Sequence, residues 1–131
     1  MADAVTSQTL FDGERLAVMK FTNISDGTGE TGVLKVDVSA LTASAAGNAC
    51  DGVSIVRIDA SLNGMGVNIL WDATTDVTCF ILAPGMYKFK FDPQLANNAG
   101  TGKTGDINFT TIGATSGDTY TITLYMVKSY A

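Results

Sequence analysis

Thr119-Tyr-Thr-Ile-Thr-Leu-Tyr-Met-Val-Lys128 decides the fold. Side chains of a strand alternate between its two faces, so Tyr120, Ile122, Leu124 and Met126 share one side, and Thr119, Thr121, Thr123 and Tyr125 the other. The stretch before it, Gly105-Asp-Ile-Asn-Phe-Thr-Thr-Ile-Gly113, has the same character and is joined to it by a turn at Thr115-Ser-Gly-Asp118. Both runs are rich in β-branched and aromatic residues, which fit a pleated, half-buried surface.

Working outward, the same signature recurs. Tyr87, Phe89 and Phe91 alternate with Lys88 and Lys90, a half-buried strand, and Val77 to Leu82 is apolar enough to be a central strand. Val53 to Leu62 places Val56, Ile58, Ala60 and Leu62 on one face and Arg57 and Asp59 on the other. Asn63-Gly-Met-Gly66 then joins it to Val67–Asp72 as a hairpin. In Val33 to Leu41, Leu34, Val36 and Val38 point inward and Lys35 and Asp37 outward. Arg15 to Ile24 has apolar side chains on both faces, as in a strand covered on both sides or at a subunit contact. Val5 to Phe11 reads as an extended arm. Ser25 to Gly32, Ala73 to Asp76 and Ala83 to Met86 are turns, Thr42 to Gly52 holds at most one helical turn, and Asp92 to Lys103 is the longest irregular stretch.

The expectation is an all-β fold, an antiparallel β-sandwich or jelly roll of about eight or nine strands, with a small barrel as the other closure. Residues 1–131 are expected to form a single β domain, with 1–12 as an extended N-terminal arm. There is no internal repeat and no linker.

Composition narrows function. Charged residues are 16% of the chain against about 25% in a typical domain. Eight basic and thirteen acidic residues give a net charge of −5, with no cluster to neutralise phosphates, so neither nucleic acid nor an anionic membrane is an expected partner. No apolar run is long enough for a membrane helix, and the first residues lack the basic and apolar regions of a secretory signal. Cys50 and Cys79 are read as reduced thiols.

The chain has no histidine, so histidine-based triads are excluded and no side chain of ordinary pKa titrates between pH 5 and 8. The fold is therefore expected to be insensitive to pH in that window. Gly100-Thr-Gly-Lys-Thr104 lacks the first glycine and the following helix of a phosphate loop, so it reads as a surface loop. Asn63-Gly-Met-Gly66 lacks the third glycine of a dinucleotide fingerprint. The acid pairs Asp26/Glu30 and Asp72/Asp76 fall short of the six to eight oxygens that calcium takes. Asn23-Ile-Ser and Asn108-Phe-Thr match the glycosylation pattern without the secretory context that would use it. Trp71 reads as core or interface before it reads as a sugar-stacking platform. No catalytic, cofactor-binding or metal-binding residue is assigned, no cofactor is expected, and the chain is read as a binder or builder, not an enzyme.

Ile69-Leu-Trp-Asp-Ala-Thr-Thr-Asp76, Asn97-Asn-Ala-Gly100 and Thr104-Gly-Asp-Ile-Asn-Phe-Thr-Thr-Ile-Gly-Ala-Thr-Ser-Gly-Asp-Thr-Tyr-Thr-Ile-Thr-Leu124 resemble small structural proteins of tailed bacteriophages. The resemblance spans roughly residues 53–128. It implies a virion component made in the host bacterial cytoplasm, most like a capsid decoration (cement) protein on the capsid exterior. Such proteins commonly form trimers that bridge subunits of the major capsid protein, so the implied partners are that protein and further copies of this chain. The segment from Ala2 to Leu10 would then be an arm that lies on a neighbour. The alternatives are another virion role (tail, fibre or adaptor) or a carbohydrate-binding β-sandwich module with exposed aromatics on a groove or flat face.

Overall fold

The computed structural model describes residues 3–130. Nine strands form two antiparallel sheets: β1 (Ala4–Asp12), β2 (Leu16–Asp26), β3 (Val33–Val36), β4 (Cys50–Asn63), β5 (Gly66–Trp71), β6 (Val77–Leu82), β7 (Gly85–Leu95), β8 (Ile107–Ile112) and β9 (Ser116–Tyr130). The five-stranded sheet has the order β1-β2-β9-β4-β7 and the four-stranded sheet the order β3-β8-β5-β6. The all-β sandwich expected from the sequence is therefore present, at the upper end of the strand count. The helical content of the described residues is one 3-10 turn, Val38–Ala40, just before the stretch expected to hold it.

The alternation that decides the fold is realised in β9. Tyr120, Ile122, Leu124 and Met126 are 1%, 0%, 0% and 0% exposed. They face Val67, Ile69 and Trp71 of β5 and Ile107 and Phe109 of β8 in one continuous core. Edge-on aromatic pairs bridge the two layers, Phe21 to Phe109 at 5.3 Å and Phe109 to Tyr120 at 5.9 Å between ring centres. Each large side chain removed from water contributes about 1.5–3 kcal/mol, so this stripe supplies much of the drive to fold. Trp71 is a core residue, buried to 1% exposure, which removes it as a sugar-stacking platform.

Four sequence expectations need correction. First, β4 and β5 do not form a hairpin: β4 lies in the five-stranded sheet and β5 in the four-stranded one. The Asn63–Gly66 segment is a corner between layers, with Met65 fully buried. Gly64 sits at φ +85°, and a Cβ on Gly66 would lie 2.8 Å from the Leu82 carbonyl oxygen, so the corner needs both glycines. Second, β6 is an edge strand, not a central one. Third, Leu34 is 50% exposed and Lys35 is buried, the reverse of simple alternation. The pairing of β3 with β8 slips between Leu34 and Val36, and one extra residue moves the following side chains to the other face. Fourth, a slip between Ile55 and Arg57 makes Ile55, not Val56, the inward residue of β4.

Residues 4–12 of the expected arm are extended, and they pair along β2 as an edge strand; residues 1 and 2 lie outside the described residues. β2 is covered on one face by the core through Ala17 and Phe21, while on the other Val18 is buried and Ile24 is 60% exposed.

Trp71 is the chain's single tryptophan, so its fluorescence reports this packing directly. Native emission is expected well to the blue of free indole, moving to the red in one transition on denaturation. Native emission already at the free-indole position would contradict the buried placement.

Candidate interaction surfaces

Two closed clusters of buried polar and charged side chains lie at opposite ends of the β9 inward stripe. At one end the turn after β2 brings Glu30 beneath Tyr120. The Tyr120 hydroxyl donates to Glu30 Oε1 at 2.6 Å, Asn23 Nδ2 donates to the same oxygen at 3.0 Å, and Lys35 Nζ lies 2.5 Å from Oε2. The Glu30 and Lys35 side chains are 6% and 2% exposed. Burial, reinforced by the hydrogen bond to Glu30, raises the Tyr120 phenol far above its ordinary range, so it stays protonated. Asn23 also donates to Asp3 Oδ2 at 3.0 Å, and Asp3 Oδ1 accepts from the Asp26 and Gly29 amides at 3.1 and 3.2 Å. Burial pushes the Asp3 carboxyl up, but these hydrogen bonds outweigh it and hold the group below its ordinary value.

At the other end Lys128, whose side chain is fully buried, uses its three donors on Asp12 Oδ1 (2.6 Å), the Gly13 carbonyl (2.9 Å) and the Thr42 carbonyl (2.6 Å). Asp12 Oδ2 accepts from the Thr42 amide and hydroxyl at 2.8 and 2.9 Å. The Tyr130 hydroxyl closes on the Glu14 carbonyl. Neither cluster is legible along the chain, because residues far apart in it meet only once the sheets pack. The bulge that buries Lys35 was equally invisible.

The remaining motifs are also accounted for structurally. Asp72 accepts from the Thr104 hydroxyl at 2.7 Å and from Asn108 Nδ2 at 2.8 Å, and Asp76 from the Ala73 amide at 3.1 Å. The stretch expected to be irregular from Asp92 is strand as far as Leu95, and its Gly100-to-Lys103 turn is held against the loop after β5 by backbone bonds, from the Thr74 amide to the Thr101 carbonyl and from the Thr104 amide to the Asp72 carbonyl, both at 3.2 Å. Asp26 and Glu30 do not converge: Asp26 accepts from the Thr28 amide, while Glu30 is buried. Asn23 and Asn108, the two glycosylation-pattern asparagines, are 1% and 6% exposed. Cys50 and Cys79 are free thiols; burial raises both, Cys79 to about 12, so neither is a thiolate at neutral pH.

What stays open is surface. The outer face of the five-stranded sheet carries a depression of about 310 Å³ lined by Asp59, Ser61, Met86, Lys88, Thr121 and Thr123. A second, of about 430 Å³, is lined by Thr6, Thr22, Ile24, Thr119 and Thr121. Threonine hydroxyls run between the two, and Arg57 lies beside them, held at 2.9 Å by Asp59 and 5.0 Å from the Tyr125 ring. The outer face of the four-stranded sheet carries exposed apolar side chains among polar ones: Leu34, Ile81 and Ile112 are 50%, 56% and 47% exposed. Asn68 pairs with Ile81 on one side and Thr110 on the other, and its Oδ1 is buried with no hydrogen-bond partner among the described residues. At one side of the sandwich, where β6 meets β7, Phe80 packs edge-on against Phe89 and Phe91, and Tyr87 stacks on Phe89.

No family model matches the chain, and no curated protein matches it. Among solved structures it is similar to a family 29 carbohydrate-binding module, with 11% identity over 95% of this chain and 89% of that one and a TM-score of 0.42. It is also similar to a cupin domain from Bordetella pertussis, with 12% identity over 98% of both chains and a TM-score of 0.37. A protein described as CBM4 matches 94% of this chain and 78% of its own at 11% identity, with a TM-score of 0.38. None of these likenesses carries a functional argument.

Removing Glu30 strands a buried ammonium. Glu30→Ala is expected to cost about 3–5 kcal/mol, and Glu30→Ala with Lys35→Met to recover the part due to the stranded ammonium, the Tyr120 hydroxyl and Asn23 amide still lacking Glu30, measured by denaturant unfolding. Equal losses in the two variants would show that the ion pair is not the reason.

The second cluster gives a pH expectation. Burial pushes Asp12 up, but the hydrogen bonds from Lys128 and Thr42 outweigh it and lower its pKa below 3.8. A lowered carboxyl contributes stability in full above its unfolded value and loses it as pH falls through the folded one. Burial pulls Lys128 down, but its bond to Asp12 wins and raises it above 10.5, so its contribution is complete below that pH. Burial raises Asp106, which works in the opposite sense on the acid side. Asp12→Asn should therefore lose about 2 kcal/mol at neutral pH. That deficit should stay constant from pH 5.5 to 7.5 and shrink below about pH 4. A deficit that grows on acidification would refute the assignment.

Proposed function

We propose that this protein is a non-enzymatic structural protein of a tailed-bacteriophage virion, acting as a capsid decoration protein that binds the major capsid protein and stabilises the head. The observation that carries the reading is a division of labour. The buried charged groups Glu30, Lys35 and Lys128, with Asp12, are locked into closed clusters at the two ends of the core. Apolar side chains meanwhile lie open on sheet surfaces, at Leu34, Ile81, Ile112, Ile24 and Met86. An exposed apolar patch framed by polar residues is the usual mark of a protein contact. The resemblance over roughly residues 53–128 supplies the class of neighbour, and a homo-oligomer on a repeating lattice would multiply weak contacts into firm attachment. A tail, fibre or adaptor position would use the same surfaces on a different partner.

One observation favours a second reading. The hydroxyl-lined depression of Asp59, Ser61, Lys88, Thr121 and Thr123 has the polar convergence that a carbohydrate would use, with Met86 as an apolar wall.

The two readings separate cleanly. Purified protein added to capsid shells lacking it should co-sediment in a fixed, saturable ratio. Leu34→Asp with Ile81→Asp should weaken that binding about tenfold or more, and Lys88→Ala with Thr121→Ala should leave it unchanged. Mature particles that never contain or bind the polypeptide would overturn the virion reading. Glycan binding lost in the Lys88/Thr121 variant would establish the second.

A further inference from the structure

The sandwich has one strand too many on one side. β6 packs against β7, and β2 and β9 pack against β8. With five strands facing four, β1 is left overhanging, and every residue from Ala4 to Phe11 is exposed. Val5, Leu10 and Phe11 are 45%, 54% and 54% exposed.

An edge strand presents a row of unpaired amides and carbonyls, and proteins usually blunt it. The other three edges are blunted. β7 carries Lys88, Lys90, Asp92 and Pro93. β3 has four residues and a bulge, and β6 has six residues with a slipped register against β5. β1 is unlike them. Its regular stretch, Ala4 to Thr9, precedes the irregularity at Leu10 and contains no charge, no proline and no glycine. It is held in place at both ends, by Asp3 on the Asp26 and Gly29 amides and by Asp12 on Lys128. The two acids flanking the strand are thus spent within their own chain.

We propose that the β1 edge is completed by the β1 edge of a second copy of this chain, antiparallel about a two-fold axis, joining two five-stranded sheets into one of ten strands. A two-fold perpendicular to the sheet keeps each side chain on its own face, so residues of like parity oppose one another. Centred on Ser7, the pairing sets Thr6 against Gln8 of the other copy and Val5 against Thr9. No charge opposes a charge anywhere in Ala4–Thr9, which spans about 20 Å. A second copy brings an identical edge of the same length, equally regular and uncharged, which is the argument for a copy of this chain as the occupant. It also gives a dimer as the assembly unit, where the phage resemblance implies trimers. The inference does not depend on the virion reading.

The test is sedimentation velocity across a concentration series, with circular dichroism and thermal midpoints as fold controls. The wild-type chain should show a concentration-dependent dimer. Thr6→Lys with Gln8→Lys places like charges opposite each other twice across the axis and should weaken association by about tenfold or more. Thr6→Lys with Gln8→Glu should restore it, because each lysine then faces a glutamate of the other copy. Gln8 also pairs with Lys20 of β2 in its own chain, so Thr6→Glu with Gln8→Glu completes the set: it makes that internal pair favourable yet should still weaken association, because glutamates then oppose each other across the axis. A wild-type chain that stays monomeric at its highest attainable concentration overturns the proposal. So does a trimer, or a double-lysine variant that is well folded and dimerises like wild type.

Discussion

The structure depends on the inward stripe of β9. This fifteen-residue strand lies between β2 and β4 and pairs along nearly its whole length with both. Its middle, Ile122, Leu124 and Met126, seals the core, and the stripe ends in a polar side chain at each extremity, Tyr120 and Lys128. A buried hydroxyl or ammonium is costly unless satisfied, and each finds an acid, Glu30 at one end and Asp12 at the other. Asp12 ends β1 and Glu30 follows β2, so the two acids bracket β2. The same strand therefore fills the core and fixes where the outer strands lie. Replacing either contact by a gap would leave a buried polar group unpaired, so the two ends make the arrangement specific as well as stable.

The regular parts of this fold were legible in the sequence. The alternation in β9 and in Tyr87–Phe91 gave strand, face and burial correctly, because period two is unbroken there. Where a single residue is inserted, at Lys35 and at Val56, the same reasoning assigned the wrong faces, since a bulge leaves no compositional trace. The β4–β5 corner failed for a different reason. A glycine turn between two strands looks alike whether the strands pair in one sheet or separate into facing layers, and only the long-range pairing of β4 with β9 decides. The rank of Val77–Leu82 was lost likewise, because an edge strand whose inner face packs on Phe89 and Phe91 is as apolar as a central one.

The surfaces were less legible still. Exposure of Leu34, Ile81 and Ile112 follows from which face of the four-stranded sheet they occupy, and that depends on the bulge and on strand order. The clusters around Glu30 and Lys128 join residues as far apart as 90 and 116 positions. What sequence reasoning did reach was composition: no histidine and little charge. With Glu30, Lys35, Asp12 and Lys128 committed to closing the ends of the core, the exposed side chains of the two outer sheet faces are the surfaces left open among the described residues.

Backbone amide hydrogen exchange at concentrations where the chain is monomeric tests the organising role of β9 most directly. Exchange rates follow the free energy of the opening that exposes each amide, so the central strand should require global unfolding. The amides of Ile122, Leu124 and Met126 are expected to exchange slowest of all, together with their partners in β2 and β4, and far behind the short edge strands β3 and β6. Exchange of β9 at the same rate as β3 and β6 would contradict the account.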